Sequence, residues 1–293
     1  MKQMQLKAEQ KIRIIGCVIA FIMALGCMGC IASFLCFRTV FNYSFVLDSS
    51  REIGYAEGAK ERIRERFMAL AMPSDNPEEA NIPTEVMESF FADYDMTPDI
   101  ENGIAQAYGK GEFSTENMKK VLGQHILAYA KQKDVEHFDE VKNGLEETLD
   151  FFAEDYTMVC DNALLDYFGY YREGIGTFLI YACLFFILIF LTGMAFEWWL
   201  YWKTAKNTFF LMVYYALCPS AICFTAVGLY LGTTTFLYRL SIRPFFVRDL
   251  IARVGSGFFT DILYTGILVF FVTVAAFVLY QFVHFDHVKN DRK

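Results

Sequence analysis

Residues 14–37 read IIGCVIAFIMALGCMGCIASFLCF and residues 174–196 read GIGTFLIYACLFFILIFLTGMAF, with no Asp, Glu, Lys or Arg in either. Residues 207–238 and 262–285 are also free of those four residue types. A bilayer core of about 30 Å is crossed by about 20 apolar helical residues, so each run is long enough to span it. Hydrophobic residues make up 55% of the 293 and mean hydropathy is +0.29, which places the chain in the membrane class. The fold expected is an all-α integral membrane protein: four transmembrane helices, with an all-α extracytoplasmic domain inserted between helices 1 and 2.

The segments follow from those runs. Residues 1–13 form a tail, 14–37 the first span, 38–173 the inserted domain and 174–202 the second span. A turn at 203–206 leads to the third span, 207–238, and an outer loop, 239–261, leads to the fourth, 262–285, with a tail at 286–293. Charge divides the same way. Residues 41–174 hold 28 acidic and 12 basic residues, a net of −16, while the rest of the chain carries +8. Short basic flanks set orientation. Lys2, Lys7, Lys11 and Arg13, then Lys203 and Lys206, then Lys289, Arg292 and Lys293 fall on one side of a four-span chain. Both termini are therefore expected in the cytoplasm of a cell membrane. Trp198, Trp199 and Trp202 resemble an aromatic belt beside Lys203. Six arginines point the other way: Arg38, Arg172, Arg239, Arg243, Arg248 and Arg253.

Seven of the eight cysteines fall inside spans, leaving Cys160 alone in the inserted domain, where one thiol cannot close an intrachain disulfide. Cys27 and Cys30 have C-x-x-C spacing, but among apolar span residues they read as small packing residues. Gly16, Ala20 and Ala24, four apart on one helical face, let another helix approach closely, and Gly228 and Gly232 repeat the device. These two faces are the expected sites of homo-oligomerisation or of a protein partner. The third run would be about 48 Å long as a helix, so it is expected to tilt, kink at Pro219 or extend past the hydrocarbon.

Helical periodicity runs through the inserted domain. A capping box at Ser49 and Glu52 precedes Ile53, Ala56, Ile63, Phe67 and Leu70. Pro73, Pro77 and Pro83 mark a connector. Thr97-Pro98 opens a helix that Gly109 and Gly111 end. Ser114 opens the next, bearing Met118, Val121, Leu122, His125 and Tyr129, and Asp134 caps one bearing Phe138, Val141, Leu145, Leu149 and Phe152. The last helix of the domain is a possible continuation into the second span. In the outer loop, Phe246, Val247, Leu250, Ile251 and Val254 form an apolar stripe opposite Arg248, Asp249 and Arg253, the pattern of a helix lying in the membrane interface.

Chemistry is sparsely signalled. No phosphate-cradling glycine motif occurs. Glu197 and His284 lie near span ends, where water is expected to reach them, so no ionisable group marks an ion path. Asp93, Asp95, Asp99 and Glu101 lack the Gly and Glu positions of a calcium loop, having Pro98 and Ile104 there. His125 and His137 are the only histidines of the inserted domain, and His137 is the one candidate for a catalytic base. The sequence gives no reason to expect a cofactor or a bound metal.

His137-Phe138-Asp139-Glu140-Val141-Lys142 resembles the outer histidine motif of the lipoprotein intramolecular transacylases, which also have four spans. That family implies a second outer histidine between spans three and four, and residues 239–261 contain none. The span order is similar to that of ABC permeases of the cell-division and lipoprotein-export type. The leading expectation is a non-enzymatic protein whose acidic outer domain binds a partner or senses a ligand, in contact with membrane lipids and with no nucleic acid. The alternatives are a permease-like subunit working with a separate ATPase, and a membrane-embedded acyl- or lipid-transfer enzyme using His137.

Overall fold

The computed structural model describes residues 2–71, 82–133, 138–161, 163–201 and 206–290. They form ten α-helices: α1 (Lys2–Arg38), α2 (Tyr43–Glu52), α3 (Tyr55–Ala71), α4 (Thr84–Asp93), α5 (Thr97–Ala107), α6 (Glu116–Gln132), α7 (Phe138–Cys160), α8 (Ala163–Tyr201), α9 (Lys206–Thr233) and α10 (Phe245–Asn290). A 3-10 turn, Phe236–Arg239, follows α9, and no strand occurs among the described residues. Four stretches are long and apolar enough to cross a membrane: Lys11–Arg38, Tyr167–Tyr201, Thr208–Thr233 and Phe245–Val283. The chain is therefore an all-helical, multi-pass membrane protein.

The helices fall into two units. Met1–Asn42, Gly174–Leu240 and Ile251–Lys293 form a membrane unit; Tyr43–Glu173 and Ser241–Leu250 form a helical unit. In the membrane unit, helices approach through small residues. Ala20 and Met23 of α1 are buried with Phe209, Met212 and Ala216 of α9, and Ser220 Oγ donates to the Ala24 carbonyl at 3.4 Å. A Cβ on Gly26 or Gly29 would press on Phe186 of α8, and this approach brings the Cys30 and Cys183 sulfurs to 3.7 Å. Between α9 and α10 the crossing is reciprocal: Gly228 lies against the Leu263 backbone and Gly266 against that of Thr225. Backbones this close maximise dispersion contact where lipid supplies no hydrophobic drive. Outward, α8 exposes Phe178, Tyr181, Leu184, Phe185, Leu188 and Leu191, the surface expected of a helix bathed in hydrocarbon.

The helical unit fills its core with rings. Phe67 of α3 is completely buried, with Phe152 of α7 edge-on at 4.8 Å, Phe90 of α4 stacked at 6.2 Å and Tyr156 at 6.3 Å. Ile63, Met87, Ile100, Ile104, Met118 and Leu122 complete it, all fully buried.

Several boundaries differ from the sequence reading. Ser49 does not cap a helix start: it is buried inside α2, which ends at Glu52, and Gly54 at φ +68° provides the left-handed residue that turns the chain into α3. The third span avoids excess length by ending, since α9 stops at Thr233 and the rest of the run becomes the 3-10 turn. Residues 239–261 hold no separate amphipathic helix. Their apolar stripe is the start of α10, which runs unbroken from Phe245. Protein covers part of that stripe: Phe246 packs edge-on to Tyr55 at 5.0 Å and sits on Gly58, while Val247 and Leu250 are buried. Removal from water drives burial equally well against α3 or against lipid. α8 likewise joins the end of the helical unit to the second span without a break. The Pro73 and Pro77 connector and the Asp134 cap lie outside the described residues.

Candidate functional site

Within the helical unit, a cleft of about 750 Å³ opens between the start of α3 and the segment from Arg243 to Asp249, a size in the range of small-ligand sites. Two glycines shape it. Gly54 turns the chain at its edge, and Gly58 has no side chain where a Cβ would overlap Phe246. Ile53, Phe245 and Phe246 supply an apolar wall. Most charges at the rim are already matched: Arg62 Nη1 donates to Glu65 at 3.0 Å, and Arg248 to Asp249 at 2.7 Å. Arg248 thus pairs with its own neighbour on α10, and its guanidinium lies over the Phe245 ring at 4.9 Å. Two rim charges, Arg243 and Glu61, have no ion-pair partner among the described residues, although Arg243 lies 5.9 Å from the Phe245 ring. The cleft therefore offers an apolar floor with one free cation and one free carboxylate.

The acidic stretch at the start of α5 is fully engaged. Asp95 accepts from the Thr97 hydroxyl at 2.6 Å and the Thr97 backbone N–H at 3.0 Å, with Lys60 at 3.2 Å. Those two Thr97 bonds, then Lys60, push its acidity constant down to about 2. Asp99 accepts from the hydroxyls of Tyr94 and Tyr156, and burial raises both phenols above their ordinary range. Glu101 holds Arg51 through two bonds of 2.7 and 2.8 Å, an arrangement that lowers the carboxylate and raises the guanidinium. Among the described residues no three His, Cys, Asp or Glu side chains converge as metal ligands. These acids fasten helices together. Cys160, the one thiol here, is wholly buried, and burial raises it well above the usual thiol range.

His137 lies outside the described residues. His125 does gather chemistry: Ser89 Oγ lies 2.6 Å from its Nδ1, and Asp93 lies 3.5 Å from its Nε2. Ser, His and Asp in line suggest acyl transfer, but such catalysis also needs backbone donors aimed at an oxyanion. Ser89 sits in the interior of α4, where backbone N–H groups are committed to intrahelical bonds. The trio is better read as a bridge between α4 and α6, with the ring edge-on to Phe90.

In the membrane unit, Glu197 corrects the sequence reading. Its side chain is 0% exposed, and neither carboxylate oxygen has a hydrogen-bond partner among the described residues. The helix packing encloses it instead of leaving it at an open span end. Its neighbours along α8 explain the burial: Gly193, one turn before, lies against Ile19 and Met23, and Tyr201, one turn after, lies against Gly16. A stripe of Gly193, Glu197 and Tyr201 at i, i+4, i+8 was the available signal. The α1 stripe proposed for oligomerisation is taken within the chain, since Gly16, Ala20 and Ala24 are all buried. Gly228 is likewise covered by Leu263, whereas Gly232 faces open space. Comparison of the chain with protein-family models, curated proteins and solved structures finds no match.

Proposed function

We propose that this protein is a receptor-like membrane component. In this reading the acidic helical unit sits on the extracytoplasmic side, both termini are cytoplasmic, and the cleft between α3 and the start of α10 binds a protein segment or small ligand. One observation carries this reading. The far wall of the cleft comes from the connection between the third and fourth spans, and the same helix continues from that wall to become the fourth span. An occupant touching Phe245 and Phe246 therefore bears directly on a membrane-spanning element. The net charge of −16 over residues 41–174 draws basic partners over about a Debye length, ~8 Å at physiological salt. Orientation rests on the nine basic residues that flank the spans on one side.

The test is purification of the full-length protein from its native membrane in mild detergent, with mass spectrometry of what stays bound. A stoichiometric extracytoplasmic or membrane partner, reduced in E61K and released by raised salt, supports the reading. A stoichiometric nucleotide-hydrolysing subunit overturns it in favour of a permease. A partner retained equally by E61K and at high salt removes the cleft and its electrostatics from the account.

A further inference from the structure

The membrane unit contains a group that the receptor reading does not use. A carboxylate enclosed by apolar side chains without a counter-ion is costly, and ionisable residues inside spans mark ion and proton sites. Glu197 meets that description: it is completely buried, and both oxygens are unpartnered among the described residues.

Its surroundings narrow the ligand. On α8, Gly193 and Tyr201 place this face of the helix against α1 between Gly16 and Met23. The α9 residues buried in the same cluster, Phe209, Met212 and Ala216, carry no charge. Among the described residues, Tyr201 on the same helix interacts electrostatically with Glu197, and with Cys17 and Arg13 on α1. The Tyr201 hydroxyl is directed to the Ile12 carbonyl at 3.5 Å. Metal cations take several oxygen ligands, whereas Glu197 brings a single carboxylate among hydrocarbon. A proton needs only one oxygen.

We propose that Glu197 is a proton-binding site inside the membrane unit, exchanging with water at the end of the bundle where Tyr201 and Arg13 lie. Arg13 is exposed and stands immediately before the charge-free run of α1, so the route is short: bulk water, the Arg13 and Tyr201 level, then Glu197 one turn deeper. The step is one proton transfer. A carboxylate oxygen forms an O–H bond as hydronium loses one and leaves as water, with no redox change. The site is independent of the cleft, and its failure would leave the receptor reading untouched.

The test uses the full chain in native membranes and dicyclohexylcarbodiimide, an apolar reagent that adds across a protonated carboxyl to leave a stable acylurea. Labelling is mapped by mass spectrometry at about pH 6 and about pH 9. The expected result is modification at Glu197 that is several-fold faster at the lower pH, absent in E197Q and retained in E197D. E197Q keeps the side-chain shape, so it should purify as a single species like the parent. Absence of labelling at both pH values in properly folded protein overturns the proposal, as does labelling independent of pH, which would mean a neutral acid sealed from water. Protection by sodium but not by choline at equal ionic strength overturns it in favour of an alkali-cation site.

Discussion

Phe67 and Gly228 join helices by opposite means. In the helical unit, α3, α4 and α7 meet around a ring that fills the space between them, with Phe90, Phe152 and Tyr156 in contact. In the membrane unit, α9 and α10 meet where each lacks a side chain, Gly228 against Leu263 and Gly266 against Thr225. The difference follows from the solvent. Water rewards every apolar area removed from it, so large rings stabilise most. Hydrocarbon gives no such reward, and only closeness of approach remains. One polar contrast stands beside it. In the helical unit Asp95, Asp99 and Glu101 each satisfy a neighbour, whereas neither oxygen of Glu197 in the membrane unit has a partner among the described residues.

That contrast can be broken by substitution. Phe67→Ala removes the ring on which Phe90, Phe91, Phe152 and Tyr156 converge and should cost the helical unit about 3–5 kcal/mol. Its thermal transition should fall by many degrees while the membrane unit stays intact in detergent; an unchanged transition would mean that the ring cluster is not the core. Gly228→Leu forces α9 from the Leu263 backbone and should cost about 1–3 kcal/mol or more, seen as loss of a monodisperse species on gel filtration. The control is Gly232→Leu, which has open space and should behave as the parent. If both glycines respond alike, a contact with another molecule at Gly232 is indicated, and the reciprocal crossing is not the explanation.

The smallest effect sharpens the polar half of the comparison. Asp95 is almost fully exposed, so its bonds to Thr97 and Lys60 are screened and worth roughly 0–1 kcal/mol. Its folded acidity constant is about 2 against an ordinary 3.8. A lowered carboxylate stabilises above its unfolded value, and that contribution is lost as pH falls from about 4 toward about 2. In Asp95→Asn the stability of the helical unit should therefore lose a small pH-dependent component between those values, measured by denaturant titration. Unaltered pH dependence would mean that the bonds of Asp95 to Thr97 and Lys60 add nothing measurable to the stability of this unit.

Four spans and an all-helical chain were legible because the absence of charge is a property of each run by itself. What decided the rest was contact between distant segments. The stripe from Phe246 to Val254 has the same spacing whether lipid or α3 covers it, so its role as the start of α10 required knowing that Gly58 waits on another helix. Gly16, Ala20 and Ala24 announced a close approach but could not say that α8 and α9 of the same chain supply it. Glu197 stands one residue past the end of a charge-free run, where an acid ordinarily meets water. Its burial goes with the packing of Gly193 on Ile19 and Met23 and of Tyr201 on Gly16, far away in sequence. Of the inserted domain's two histidines, His125 bridges α6 to α4, and His137 lies outside the described residues.

The placement of Ser241–Leu250 in the helical unit has a consequence for biosynthesis. Tyr55 is made early, but its ring partner Phe246 leaves the ribosome only after three spans have been translated. At ~5–20 residues per second that delay is roughly 10–40 s. During it, α3 displays Gly58 and Tyr55 without their cover. The nascent chain thus has a timed vulnerability, and truncation anywhere before Phe245 should leave Tyr55 and Gly58 without the Phe246 ring for good.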